Sequence, residues 1–243
     1  MALTYAQLQD EVATVIGTGA RSGDVMRTSI KRWINQACRR IAFAHEWNER
    51  RAEQRVATVA PYTTGTLTFT QGSASVVGVG TTWTAAMIGR KIALGIGSPY
   101  YRITAVGSTT TLTIADVYAE ATAATSTYTI FQDEYDLATD THSIEDSEIF
   151  RSTWSGPFVM YDQVRMDRSS FVPWSTGAPL TGCVCTSTTA GVPRIRVSPS
   201  PDAIYRIAFR YLKAWTDMSG DSDLYTATLP VDVEELILDR KAD

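Results

Sequence analysis

The sequence predicts an α+β fold, in which a helical core carries an inserted small antiparallel β-sandwich or barrel module and a further β segment. Three observations lead to this prediction. Both ends of the chain have apolar residues at helical spacing, whereas residues 62–132 form short alternating runs rich in Thr, Val, Ile and Tyr. More alternating runs follow before the last helical segment. The 243 residues, 44% of them hydrophobic, are enough for one large domain or two small ones.

The first helix begins with a capping box. Thr4 and Gln7 are three residues apart, so each side chain can satisfy a backbone donor of the other residue. Gly17 and Gly19 end the helix. Between these signals one helix face is apolar, with Leu8, Val12, Val15 and Ile16.

The second helix is the strongest helical pattern in the chain. Ser22 or Asp24 can cap it, and the pattern continues to about Trp47. Basic residues occupy much of its remaining surface. Apolar side chains recur every three or four residues over four turns, and we predict that they lie in the core: Met26, Ile30, Trp33, Ile34 and Ile41.

Residues 62–132 have almost no helical period and predict a separate β module. Each candidate strand is short and bounded by Gly, Ser or Thr, which is typical of a small antiparallel sandwich or barrel. The strands are expected at Thr66–Thr70, Ala74–Val79, Arg90–Leu94, Tyr100–Val106, Thr109–Ile114 and Thr127–Phe131.

Residues 133–229 are predicted to form an acidic connection and a β segment. Asp133–Glu148 is acidic and weakly patterned, which indicates a surface connection. Tyr205–Trp215 alternates clearly and predicts a strand. Further strands are expected around Phe158–Met166, Thr181–Thr186 and Arg194–Val197.

Residues 230–243 are predicted to form a last helix, belonging to the core with the N-terminal helices of residues 1–61 or serving as a docking element. Acidic residues in its first turn suit the positive end of the helix dipole. Its apolar stripe is Val233, Leu236 and Ile237, which we predict to be an interface. The partner of this stripe could be the chain's own helices, a neighbouring subunit or a portal protein.

No motif in the sequence predicts catalysis, a cofactor or a metal site. His45 and His142 are far apart, and neither has a second His or Cys at metal-ligand spacing. Cys183-Val184-Cys185 is not a CxxC motif. The aspartates of Asp217–Asp223 lack the ligand spacing of a calcium loop, and Gly78–Thr81 lacks the lysine of a phosphate-binding loop. The chain is therefore not expected to be an enzyme.

Composition and charge narrow the possible partners. The net charge of −4 argues against a dedicated nucleic-acid-binding protein. Three cysteines do not make a disulfide framework, and the first residues do not resemble a signal peptide, so we expect folding inside the cell. No run of apolar residues is long enough to predict a membrane span.

Several of these segments resemble head-to-tail adaptor (head–tail connector) proteins of tailed bacteriophages. The second helix carries Arg32-Trp33-Ile34-Asn35-Gln36-Ala37, with Trp47 near its end. The β module resembles one that recurs in phage virion proteins. The residues that carry this second resemblance are Gly65–Ser73, Gly78–Thr84, Met87–Arg90, Tyr100–Ile103 and Thr111–Ile114, and adaptor-like residues near the end are Pro199–Asp202, Tyr205, Phe209–Tyr211 and Leu229-Pro230.

The resemblance implies a structural virion protein that is assembled in the host cytoplasm and located in the neck or tail. It implies a homo-oligomeric ring, usually of about twelve copies, between the portal protein and the tail nozzle or tail tube proteins. DNA would pass through the lumen during ejection without specific binding. The alternative is a tail or neck protein whose β module binds host-surface glycans, with Trp83, Tyr100, Tyr101 and Tyr128 as a possible platform.

Overall fold

The protein is mostly β, which contradicts the predicted helical core with a small β insertion. Among the residues that the structure describes, strands account for 41% and helices for 21%. The prediction failed because segments that look like connections in the sequence form strands whose partners are distant in the chain. The computed structural model of the chain describes residues 3–17, 24–151, 154–169, 175–185, 192–225 and 229.

Three α-helices occur among the described residues: α1 (Tyr5–Val15), α2 (Asp24–Ala44) and α3 (Gln163–Ser169). The capping box of α1 is confirmed, because Thr4 Oγ1 accepts from the Gln7 N–H at 3.3 Å and Gln7 Oε1 accepts from the Thr4 N–H at 2.8 Å. The second helix ends before Trp47, and a short 3₁₀ turn follows it.

Seventeen strands lie in the described ranges and form four sheets. In chain order they are β1 (Arg51–Ala57), β2 (Thr66–Phe69), β3 (Ser75–Val79), β4 (Lys91–Ala93), β5 (Tyr100–Ser108), β6 (Thr111–Ile114), β7 (Ala123–Ser126), β8 (Thr129–Phe131), β9 (Glu134–Asp136), β10 (Thr141–Arg151), β11 (Trp154–Pro157), β12 (Val159–Met160), β13 (Thr176–Gly177), β14 (Thr181–Cys185), β15 (Arg194–Ser198), β16 (Ser200–Pro201) and β17 (Arg206–Lys213).

The strands of the predicted β module form a curled seven-stranded sheet in the order β7-β2-β3-β6-β5-β4-β8. Alternation along each short strand places one row of side chains in a common core. Trp83 lies in that core and donates through Nε1 to the Tyr128 hydroxyl at 2.9 Å. The expected strands from Thr66 to Phe131 are confirmed, and β7 is an addition to them.

The acidic segment is not a surface connection, so that prediction is wrong. Glu134–Asp136 is β9, which pairs antiparallel with β15 at one edge of the sheet β12-β14-β15-β9. Thr141–Arg151 is β10, within the sheet β1-β17-β10-β11. Within Phe158–Met166 a strand covers only β12, and α3 follows it.

The chain divides into two compact units. Unit 1 consists of Met1–Glu53, Asp140–Asp146 and Arg210–Asp243, and unit 2 consists of Gln54–Thr139 and Ser147–Phe209. The core of unit 1 is formed by buried side chains of α1 and α2 together with residues between 218 and 229. The predicted last helix, residues 230–243, lies outside the described residues.

Candidate functional site

The two faces of α2 differ sharply in burial. Ile30, Ile34 and Ile41 are buried in the core of unit 1. Met26 and Trp33 are 37% and 43% exposed, so the prediction that they are buried is wrong. Met26 and Trp33 are seven residues apart, so they lie on one line along the helix, beside the buried face. The apolar stripe of α2 is therefore wider than the surface that its neighbours cover.

The basic residues of α2 fall into two groups. Arg27 lies 3.9 Å from Asp10, Lys31 lies 3.7 Å from Asp221, and Arg39 lies 2.7 Å from Asp217, all within unit 1. Arg32 and Arg40 point away from the core and form no ion pair with any described residue. We define the outer face of α2 by its exposed side chains: Met26, Arg32, Trp33, Gln36 and Arg40.

Asn35 fixes the orientation of this face. Its Nδ2 donates to the Met218 carbonyl at 2.9 Å and to the Tyr5 hydroxyl at 3.1 Å, while its Oδ1 accepts from the Met218 N–H at 2.9 Å. The Tyr5 hydroxyl donates in turn to the Lys31 carbonyl at 3.0 Å. Asn35 and Ile34 therefore hold α2 from the inside, and Arg32, Trp33 and Gln36 of the same short motif point outward.

Arg50 secures the C-terminal end of α2. Its guanidinium, in a residue only 2% exposed, donates to the Ala42 carbonyl, which has no partner further along the helix. It also donates to the Lys213 carbonyl at 2.9 and 3.0 Å and lies 5.0 Å from the centre of the Phe43 ring. Burial lowers the pKa of Arg50, but the carbonyls of Ala42 and Lys213 and the ring of Phe43 stabilise its positive charge.

The exposed side of α1 is acidic. Asp10 and Glu11 are its charged residues, and it has no basic residue. Buried positions such as Leu8 and Val12 lie on the opposite side, against the core of unit 1. We define the outer face of α1 by its exposed side chains: Gln7, Asp10, Glu11, Thr14 and Val15.

Unit 2 contains a buried ion-pair network centred on Glu134. The Glu134 carboxylate lies 3.0 Å from Arg102, 3.4 Å from Arg196 and 3.5 Å from Lys91. Lys91 also contacts Asp133 at 2.7 Å. Burial alone would raise the pKa of Glu134, but the surrounding cations hold it below its ordinary value.

A polar pocket of about 170 Å³ lies beside this network. Asp133 and Asp136 line it, and both carboxylates are already paired, with Lys91 and Arg194 respectively. The charged walls of the pocket are therefore mainly a continuation of the ion-pair network, which joins β4 and β5 to β9 and β15.

The sequence analysis missed this network. Glu134-Tyr135-Asp136 and Arg194-Ile195-Arg196 nevertheless carry complementary charges at strand spacing.

The residues that the sequence singled out for chemistry are dispersed. His45 contacts Trp47, and His142 contacts Phe43. Asp223 accepts hydrogen bonds from backbone N–H groups of its own loop, which lower its pKa. In the described parts of the chain no three His, Cys, Asp or Glu side chains are grouped as metal ligands.

The four aromatic residues considered for glycan binding do not form a surface platform. Trp83 and Tyr128 are buried in the core of the seven-stranded sheet, and Tyr101 packs against that core. Tyr100 is exposed, with the Lys91 ammonium 4.7 Å from its ring centre. The predicted interface stripe of the last helix, Val233, Leu236 and Ile237, lies outside the described residues.

Comparison with known proteins adds no assignment. No protein-family model matches the chain, and no curated protein matches it. Among the helices that the structure describes, none combines the length and the apolar character needed to cross a bilayer.

Proposed function

We propose that this chain is a structural virion protein of a tailed bacteriophage, a head-to-tail adaptor that assembles as a ring between portal and tail. The observation that carries the proposal is the outer face of α2, where Trp33 and Met26 are exposed beside the unpaired Arg32 and Arg40. Trp and Arg are the side chains that most often dominate the binding energy of protein interfaces. The same helix contains the motif that resembles adaptor proteins.

The proposed activity is mechanical and needs no turnover. The copies of the chain would pack around a closed ring, and the portal and the tail nozzle or tail tube would bind its two ends. The genome would pass through the bore. A net charge of −4 is compatible with a lumen that does not hold phosphates tightly.

Glycan binding by the β module remains the second prediction. Of the four aromatic residues that suggested it, only Tyr100 is exposed to the extent that a stacked sugar ring requires. The adaptor proposal predicts binding to portal rings, whereas the second prediction expects binding to host-surface glycans. Testing one preparation against both ligands therefore separates them.

Co-sedimentation with purified portal rings from the same phage tests the adaptor proposal. We expect the chain to pellet with portal at a fixed ratio of copies and to remain in the supernatant when portal is omitted. The same preparation is applied to a glycan array. A chain that stays in the supernatant with portal up to about 100 µM, a concentration far above that of a specific contact, would contradict the proposal.

A further inference from the structure

The two N-terminal helices carry charges of opposite sign. In α1 the charged residues are both acidic, Asp10 and Glu11. In α2 one acidic residue, Asp24, stands against five basic residues. Three of those five pair with carboxylates of unit 1, which leaves Arg32 and Arg40 without a carboxylate partner among the described residues.

The two outer faces also match in length and composition. Arg32, Gln36 and Arg40 lie on successive turns of α2 and span about 12 Å along the helix. Gln7, Glu11 and Val15 do the same on α1. The charged side chains are basic on the α2 face, beside the exposed Trp33 and Met26, and acidic on the α1 face, which ends at the exposed Val15.

We infer that the outer face of α2 binds the outer face of α1 of a second copy of this chain. Each copy then uses α2 toward one neighbour and α1 toward the other. This inference rests on the proposed function, because such a head-to-tail contact is the one that builds a ring when its rotation closes. A symmetric α2–α2 dimer would instead place Arg32 and Arg40 against their own copies, where like charges repel.

Trp33 is the expected anchor of this contact. A large aromatic side chain contributes most binding free energy when it is buried away from water at the centre of an interface. Arg32 and Arg40, on either side along the helix, can pair with Asp10 and Glu11 of the neighbour. Asp10 is available because its contact with Arg27 is long, at 3.9 Å, and both side chains are more than half exposed.

Cysteine cross-linking tests which faces meet. One chain carries Gln36→Cys on α2, and another carries Thr14→Cys on α1; the native cysteines are all buried and stay silent. With a short bismaleimide, the mixture should give mixed dimers at least about tenfold more efficiently than either variant alone. Cross-linking traps even weak contacts, so at about 1 mM chain an absence of mixed dimers would overturn the inference.

Charge reversal then tests the chemistry of the contact. Arg32→Glu with Arg40→Glu on the Gln36→Cys chain should lower the yield at least about tenfold, and Asp10→Lys with Glu11→Lys on the other chain should restore it. All four positions are exposed, and circular dichroism checks that the helices persist. A cross-linking yield that these charge reversals leave unchanged would overturn the inference. Charge reversals that abolish only the binding of duplex DNA would overturn it too.

These outcomes are separate from those of the portal experiment. Restored cross-linking without portal binding would keep the α1–α2 contact and reject the adaptor function. Portal binding by a chain with both arginines reversed, together with an unchanged cross-linking yield, would keep the function and reject the contact.

Discussion

Replacing Glu134 with Gln should lower the stability of unit 2 more than the removal of any other single charge from the ion pairs described above. The substitution keeps the shape of the side chain but removes a carboxylate that is only 12% exposed. Lys91 retains Asp133 at 2.7 Å, whereas Arg102 and Arg196 each lose their contact with the Glu134 carboxylate. Breaking a buried pair typically lowers the free energy of unfolding by about 3–5 kcal/mol. Because both arginines are partly exposed, we expect the lower end, about 3 kcal/mol.

Urea unfolding and thermal melts measure this effect directly. A loss of about 3 kcal/mol corresponds to a fall in Tm of about 6–12 °C for a chain of this size. Hydrogen exchange of peptides from β4 and β9 locates the loss in unit 2. Asp221→Asn is the matched control, because that side chain is 76% exposed and lies 3.7 Å from Lys31; it should leave stability unchanged. A change below about 1 kcal/mol for Glu134→Gln would refute the assigned role of the network.

The effect should depend on pH in a defined direction. The pKa of Glu134 is lower in the folded chain than its ordinary value of 4.5. Its contribution is therefore complete at neutral pH and is lost as the pH falls through the folded pKa. The stability difference between the original chain and Glu134→Gln should narrow only in the acidic range below that ordinary value. A difference that is equally large at neutral and strongly acidic pH would contradict the charge-based explanation.

Three further predictions concern packing and thiols. Ile34→Ala should lower the free energy of unfolding by about 2–5 kcal/mol, from lost burial plus a cavity, whereas Trp33→Ala in the free chain should change it by less than about 1 kcal/mol; equal losses would place both side chains in the core. Gly78→Ala should cost about 1–3 kcal/mol or more, because an added Cβ would lie 2.6–2.7 Å from neighbouring side chains; Gly95→Ala, with no atom within 4 Å, is the control for urea unfolding, and similar midpoints would refute the clash. The three buried thiols should resist a disulfide reagent at pH 8 in the native chain and all react after unfolding, since burial raises the pKa of Cys38 to about 12; fast native reaction would contradict their burial.

Local patterns predicted the elements that depend on short-range interactions. The capping box at Thr4, the helical period from Ile30 to Ile41 and the alternation of Tyr205–Trp215 all correspond to observed elements. Each depends on residues within a few positions of one another. The strands around Thr66–Ile114 were also recognisable because their turns carry glycine and serine.

The fold class could not be predicted because it depends on pairing over long distances. Glu134–Asp136 looks like an acidic surface loop until Arg194–Arg196 is placed beside it in the sheet. Arg51–Ala57 is also a strand despite its many charges. In α2 the helical period alone could not show that Trp33 is exposed, because an exposed apolar residue can have the same spacing as one in the core.

Cryo-electron microscopy of the chain bound to its portal ring tests the central claim most directly. The proposed function and the inferred contact predict a closed ring of this chain under the portal, with α2 of each copy against α1 of the next and the seven-stranded sheet recognisable in each copy. Portal particles without added density, or single copies that never contact one another, would contradict the account.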